Sequence, residues 1–107
     1  MDIYFKQPRI MEDLMQYAAW GELNTFKALL ERVIDVNKKG VAGDTVLIAA
    51  VTCRENTIVQ ELLRCEGIDL NIVCDGVTAL NVAEIDGNFE ISQLLKEKGA
   101  LRAAEME

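Results

Sequence analysis

An all-α stack of helix–turn–helix repeats is the fold class this sequence predicts, and three observations predict it. Gly43, Thr45, Leu47 and Ala50 recur as Gly76, Thr78, Leu80 and Ala83, each 33 residues later. Leucine pairs at Leu29-Leu30, Leu62-Leu63 and Leu94-Leu95 mark one point of three successive periods. Ile34-Asp35-Val36-Asn37 returns as Ile68-Asp69-Leu70-Asn71. A period of roughly 20–50 residues is the signature of a solenoid, whose units bury their apolar faces only against one another. Gly67 returns as Gly99 only 32 residues on, so the second period carries one extra residue.

The elements follow in chain order. Residues 1–11 precede the repeats and carry Ile3, Tyr4, Phe5 and Ile10. Terminal repeats expose a face that needs cover, so Tyr4 and Phe5 are expected to cap the first repeat. Docking a partner or a second copy is the alternative. The first repeat, residues 12–37, has a helix ending at Trp20 and Gly21 and a second helix over residues 22–32. In the second repeat, residues 38–71, Thr45 is a natural N-cap whose hydroxyl accepts a bond from a first-turn amide. The helix it opens runs to about Cys53. The apolar run 46–51 reads equally as a buried strand, but its counterpart Ala79-Leu80-Asn81-Val82-Ala83-Glu84 has a helical composition, which decides for helix. Its partner helix covers residues 56–65. In the third repeat, residues 72–102, Thr78 caps a helix to about Ile85, and residues 88–98 form the last helix. There Ile91, Leu94 and Leu95 share one face while Glu90, Gln93, Lys96 and Glu97 meet water. Gly67 and Gly99 stand where a helix end takes a left-handed residue. The tail, residues 103–107, reads as a short frayed or helical extension. Leu14, Ala18, Leu29, Leu30, Leu47, Ala50, Leu62, Leu63, Leu80, Ala83, Leu94 and Leu95 are the expected core.

Composition limits the chemistry. With 107 residues, half of them hydrophobic, the chain suffices for one domain, and 27% charged residues with a single proline fit neither disorder nor a linker. No apolar run approaches the ~20 residues of a membrane span, and the N-terminus lacks a secretory pattern, so a cytoplasmic location is expected. Eighteen acids against eleven bases give a net charge of −7, which disfavours nucleic acid and anionic membrane as partners. Histidine is absent, removing the commonest general base and metal ligand, so the only serine, Ser92, has no histidine to activate it. Cys53, Cys65 and Cys74 form no Cys-x-x-Cys pair and read as free thiols at small apolar positions. Neither an enzyme nor a cofactor is expected. The remaining catalytic route, a carboxylate pair such as Asp75 with Asp86, reads as ordinary turn and helix-end acids.

The pattern Gly-x-Thr-x-Leu-x-x-Ala, a helix ending in Leu-Leu, then Gly-x-Asp-x-Asn, resembles the ankyrin repeat over residues 12–100. The resemblance implies an α-solenoid of helix pairs joined by β-turn fingers, binding partners on a concave face of fingers and first helices. It implies exposed finger positions at Lys38, Lys39, Val41, Ala42 and Asp44, then Val73, Cys74, Asp75 and Val77. On the first helices it implies Ala19, Trp20, Thr52, Cys53, Ile85 and Asp86. The family's Thr-Pro-Leu-His becomes Thr45-Val46-Leu47-Ile48 and Thr78-Ala79-Leu80-Asn81. Ile48 substitutes packing for the histidine's bond, and Asn81 is placed to keep one. Around residues 53–57 the usual linking glycine is missing, so an irregular connection carrying the extra residue is expected there.

The expected partner-binding residues are Trp20, Val41, Asp44, Asp75, Val77, Ile85 and Asp86. Trp20, Val41, Val73, Val77 and Ile85 would give an apolar strip, the usual mark of a contact surface, unless some pack between fingers. Trp20 reads as an anchor because Leu14, Ala18 and Tyr17 already fill its helix; burial under Tyr4 or Phe5 is the alternative. Glu66, Asp69, Asp75, Glu84, Asp86 and Glu90 lie between Arg64 and Lys96 with no base among them. Such a field suits a partner with a basic surface, or serves solubility alone. The expected function is a non-enzymatic protein-binding module, monomeric when free. Read as a small, acidic, free-standing chain, it also fits a bacterial immunity or inhibitor protein masking a basic toxin domain. A structural subunit of a self-associated or larger assembly is a further alternative.

Overall fold

The computed structural model describes residues 10–33, 35–40 and 42–106. Among the described residues six helices follow in order: α1 (Ile10–Trp20), α2 (Leu23–Leu30), α3 (Val46–Thr52), α4 (Asn56–Leu63), α5 (Ala79–Ile85) and α6 (Phe89–Glu97). A 3-10 helix, Ala103–Met106, is the last described element. The β-structure among the described residues is one isolated bridge, Cys74 to Val77. The first helices form one layer, α1 on α3 and α3 on α5, and α2, α4 and α6 pack against them as the second. The Tyr4 and Phe5 cap falls outside the described residues.

The ambiguous run 46–51 is helix, and its position explains its composition. Val46, Leu47, Ile48, Ala50 and Val51 are all buried, because α3 lies mid-stack with α1 on one side and α5 on the other. A helix apolar nearly all round is what such enclosure requires. The expected core holds, except that Leu30 and Leu94 are half-buried. Phe26, fully buried, adds to it at the position that Val59 and Ser92 occupy in the next two repeats.

Both threonine caps form. Thr45 is extended, and its Oγ1 accepts from Ile48 N at 3.3 Å. Thr78 closes a full capping box: its Oγ1 accepts from Asn81 N while Asn81 Oδ1 accepts from Thr78 N at 3.0 Å. Asn81 Oδ1 also accepts from Ala103 N at 3.0 Å, so the asparagine keeps a link to the following segment. Ile48 is buried instead.

The recurring Ile-Asp-x-Asn has a hydrogen-bonding cause. Asp35 and Asp69 accept from the amides of Asn37 and Asn71, fixing each turn. Asn37 then reaches the next repeat, donating Nδ2 to Gly67 O at 2.8 Å and accepting Asp69 N at 2.7 Å. Asn71 Oδ1 accepts Leu101 N at 2.8 Å in the same way.

The expected irregularity at residues 53–57 is corrected. Arg54 takes φ +57°, matching Gly21 at +70° and Gly87 at +68°. Glu55 N donates to Ala50 O at 3.0 Å, as Asn88 N does to Ala83 O at 2.9 Å. The connection is therefore regular, with arginine in the glycine's conformation. The extra residue lies beyond α4 instead: Gly67 follows Leu62 by five positions, whereas Gly99 follows the equivalent Leu95 by four.

Candidate partner-binding surface

Two fingers project between the helix pairs, and they differ. In Cys74-Asp75-Gly76-Val77 the outer residues exchange both backbone bonds, at 2.9 and 3.1 Å. Asp75 and Gly76 have φ +53° and +80°, the two-residue turn for which Asp-Gly is favoured. Asp75 is exposed at its tip and Val77 half-buried. Cys74, expected in the open, is buried: paired across the turn, it faces inward and packs as a small apolar side chain. The other finger closes by Gly40 N to Asp44 O at 2.8 Å and Gly43 N to Gly40 O at 2.9 Å. Asp44 is half-buried, Lys38 and Ala42 are exposed, and Val41 lies outside the described residues. Lys39 Nζ donates to Val73 O at 2.9 Å and ties one finger to the next.

On the first helices Trp20 is 61% exposed, its ring edge-on to Tyr17 at 5.7 Å, while Ala18, two residues before it, is fully buried. Close helix packing at Ala18 leaves the indole outside the core. Ile85 is 76% exposed. Asp86 is exposed, as are Thr52 and Cys53 in the repeat between Trp20 and Ile85. The apolar exposure thus falls at the two ends of the stack, with a more polar stretch between.

The tips of the helix pairs are cross-linked. Arg54 Nη1 donates to Asp86 O at 2.7 Å, and Asn88 Nδ2 to Asn56 Oδ1 at 3.0 Å. One residue there escaped the sequence reading: Phe89, first in α6, is 85% exposed. Its signal was present, since Ile91, Ser92 and Leu95 define the buried face of α6 without it.

Of the six acids between Arg64 and Lys96, Glu84 is neutralised structurally. Arg102 donates Nε and Nη2 to its two oxygens at 2.6 and 2.7 Å, and Lys96 lies 3.4 Å away. The Arg102 hydrogen bond, with help from Lys96, holds the Glu84 carboxyl below the ordinary glutamate range. Burial, then the Glu61 charge, pushes the Cys65 thiol up. Among the described residues no group of three or more cysteines, aspartates or glutamates is placed to hold a metal ion, and no helix is long and apolar enough to cross a membrane.

A family model described as ankyrin repeats (3 copies) matches residues 14–103. The chain belongs to the ankyrin-repeat family. Over 67 residues, 62% of the chain, it is 43% identical to SMC5-SMC6 complex localization factor protein 1 of Bos taurus and, equally, of Homo sapiens. The match spans only 6% of the length of those relatives. Ankyrin repeats are generally protein-interaction modules and typically not enzymes, and residues 14–103, matched by the family model, include both fingers and most of the first-helix layer.

Proposed function

We propose that this ankyrin stack binds one partner protein through its concave face, catalyses no reaction, and recognises a basic surface on that partner. The contact set is Trp20, Val41, Asp44, Asp75, Val77, Ile85 and Asp86. Trp20 carries the reading: a mostly exposed indole on the first-helix layer, two residues after the fully buried Ala18, contributes little to the core. Tryptophan is also among the residues most enriched at interface hot spots. Exposed Asp75 and Asp86 supply the negative field. The relatives' name is that of a localization factor for a complex, and the role proposed here is of that kind: recruitment by holding a partner. The free protein is monomeric, and three free cysteines suit a reducing, cytoplasmic setting.

Affinity capture from a lysate of the source cells tests this, using wild type, Trp20→Ala and the double variant Asp75→Asn/Asp86→Asn. Asparagine is chosen because it tolerates the positive φ at position 75. Trp20→Ala is expected to lose the captured partner while its melting temperature moves by no more than about 2 °C. The double variant should slow association and flatten its salt dependence. Trp20 is the only tryptophan, so its emission should start red-shifted and move to the blue on binding. Full binding by Trp20→Ala would remove the anchor from the proposal.

A further inference from the structure

We infer that the tip of the α5–α6 pair carries a second anchor, Ile85 with Phe89, which takes an apolar side chain from a lysine- or arginine-flanked segment of a partner protein. This rests on the protein-binding function proposed above and names both a site and a partner chemistry for it. Single exposed apolar residues are ordinary. Here two large ones, 76% and 85% exposed, flank one three-residue turn. At the position of Phe89 the other repeats have Leu23 and Asn56, both half-buried, so the open aromatic is particular to the third repeat.

The tip is held rigidly. Gly87 takes φ +68°, and Asn88 N donates to Ala83 O at 2.9 Å, turning α6 back along α5. Asn88 is buried, its Nδ2 bonded to Asn56 and its Oδ1 accepting Ile91 N at 3.4 Å. Presenting Ile85 and Phe89 on a fixed turn lowers the ordering cost of binding.

Charge selects the occupant. Asp86 lies between the two apolar residues and Glu90 directly after, both exposed. Arg54, bonded to the Asp86 carbonyl, brings one positive charge to the tip and offsets one of these two acids. The stretch 65–95 contains no lysine or arginine to offset the other, so the tip stays net negative. A second copy of the chain, itself at −7, would bring like charge to the same place, and an anionic membrane would be repelled as well. A cationic peptide segment with an apolar side chain satisfies both features of the tip.

The test selects phage-displayed random dodecapeptides on the wild-type chain, then measures the enriched peptides by fluorescence polarisation. The proteins compared are wild type, Ile85→Ser/Phe89→Ser and Trp20→Ala. Enriched peptides should place an aromatic or aliphatic residue beside lysine or arginine and bind more weakly as salt is raised. The double variant should lose at least about tenfold in affinity with an unchanged melting temperature. Acidic or neutral peptides overturn the inference, and so does a selection that enriches nothing. Peptides that ignore the double variant but are lost with Trp20→Ala also overturn it, and leave binding by the concave face standing. A concentration-dependent dimer abolished by Phe89→Ser reassigns the tip to self-association and overturns it likewise. Should lysate capture also return no partner, the binding function falls with it.

Discussion

At Arg54 the chain demands what its side chain resists. Left-handed backbone costs a non-glycine residue roughly 1–2 kcal/mol, and Gly21 and Gly87 avoid that cost at the same point of the other repeats. Arg54 compensates in part by donating to Asp86 O across the repeat boundary. Sequence alone shows a missing glycine and suggests distortion, because the compensating bond joins residues 32 apart in sequence. Arg54→Ala keeps the strain and loses the bond, whereas Arg54→Gly loses the bond and relieves the strain. Arg54→Gly is therefore expected to be the more stable of the two by about 1 kcal/mol, measured as urea midpoints, reversing the order found inside helices. Cys74 gives the complementary lesson. The finger was legible from the repeat, but the Asp75-Gly76 pair that forces a two-residue hairpin, and so turns Cys74 inward, is a cue of turn chemistry.

Among the elements, α5 shows how a helix can be read correctly and its role still missed. Its boundaries follow from Thr78 and the repeat, and Leu80 and Ala83 are buried as the pattern requires. Glu84, however, reads in sequence as one more acid of the charged stretch. Its pairing with Arg102 depends on the tail folding back, which Thr78 Oγ1 donating to Leu101 O at 2.7 Å and Ala103 N donating to Asn81 Oδ1 secure. Because the folded-state pKa of Glu84 lies below its unfolded value, the contact adds stability at neutral pH. That contribution is lost as the pH falls below the ordinary glutamate range and through the lowered pKa of the folded state. Arg102→Gln should therefore lower the urea midpoint at pH 7, with the gap from wild type closing on acidification. Glu84→Gln should flatten the acid limb in the same way. A gap that stays constant with pH would show that Arg102 acts through something other than the Glu84 carboxylate.

Taken as a whole, the molecule is a one-dimensional stack with unlike ends, and that is why so much of it is legible. In a solenoid each repeat answers only to its neighbours, so a period found in sequence already gives the contacts: Leu14, Leu47 and Leu80 fall at one point of the period and all three are buried. Surface properties are less legible, since exposure at Trp20, Ile85 and Phe89 depends on what the tips and tail cover. The outer side of repeat three illustrates this. Met15 and Ile48 give way there to Asn81, and Ala18 and Val51 give way to Glu84, so an apolar contact face becomes a polar one beneath the tail. Ile48 and Val51 thus point toward α5 and rely on it for cover. Deleting residues 72–107 would expose them together with Leu63, which lines a surface cleft with Leu94 of α6. At about 1.5–3 kcal/mol for each side chain, the loss is comparable to the whole stability of a domain this size, about 5–15 kcal/mol. The truncated chain is expected to lose its helical far-ultraviolet circular dichroism and its cooperative melt, where the intact chain shows both and no appreciable strand signal. A truncated chain that still melts cooperatively would mean that two repeats hold without the third, contrary to the dependence of α3 on α5.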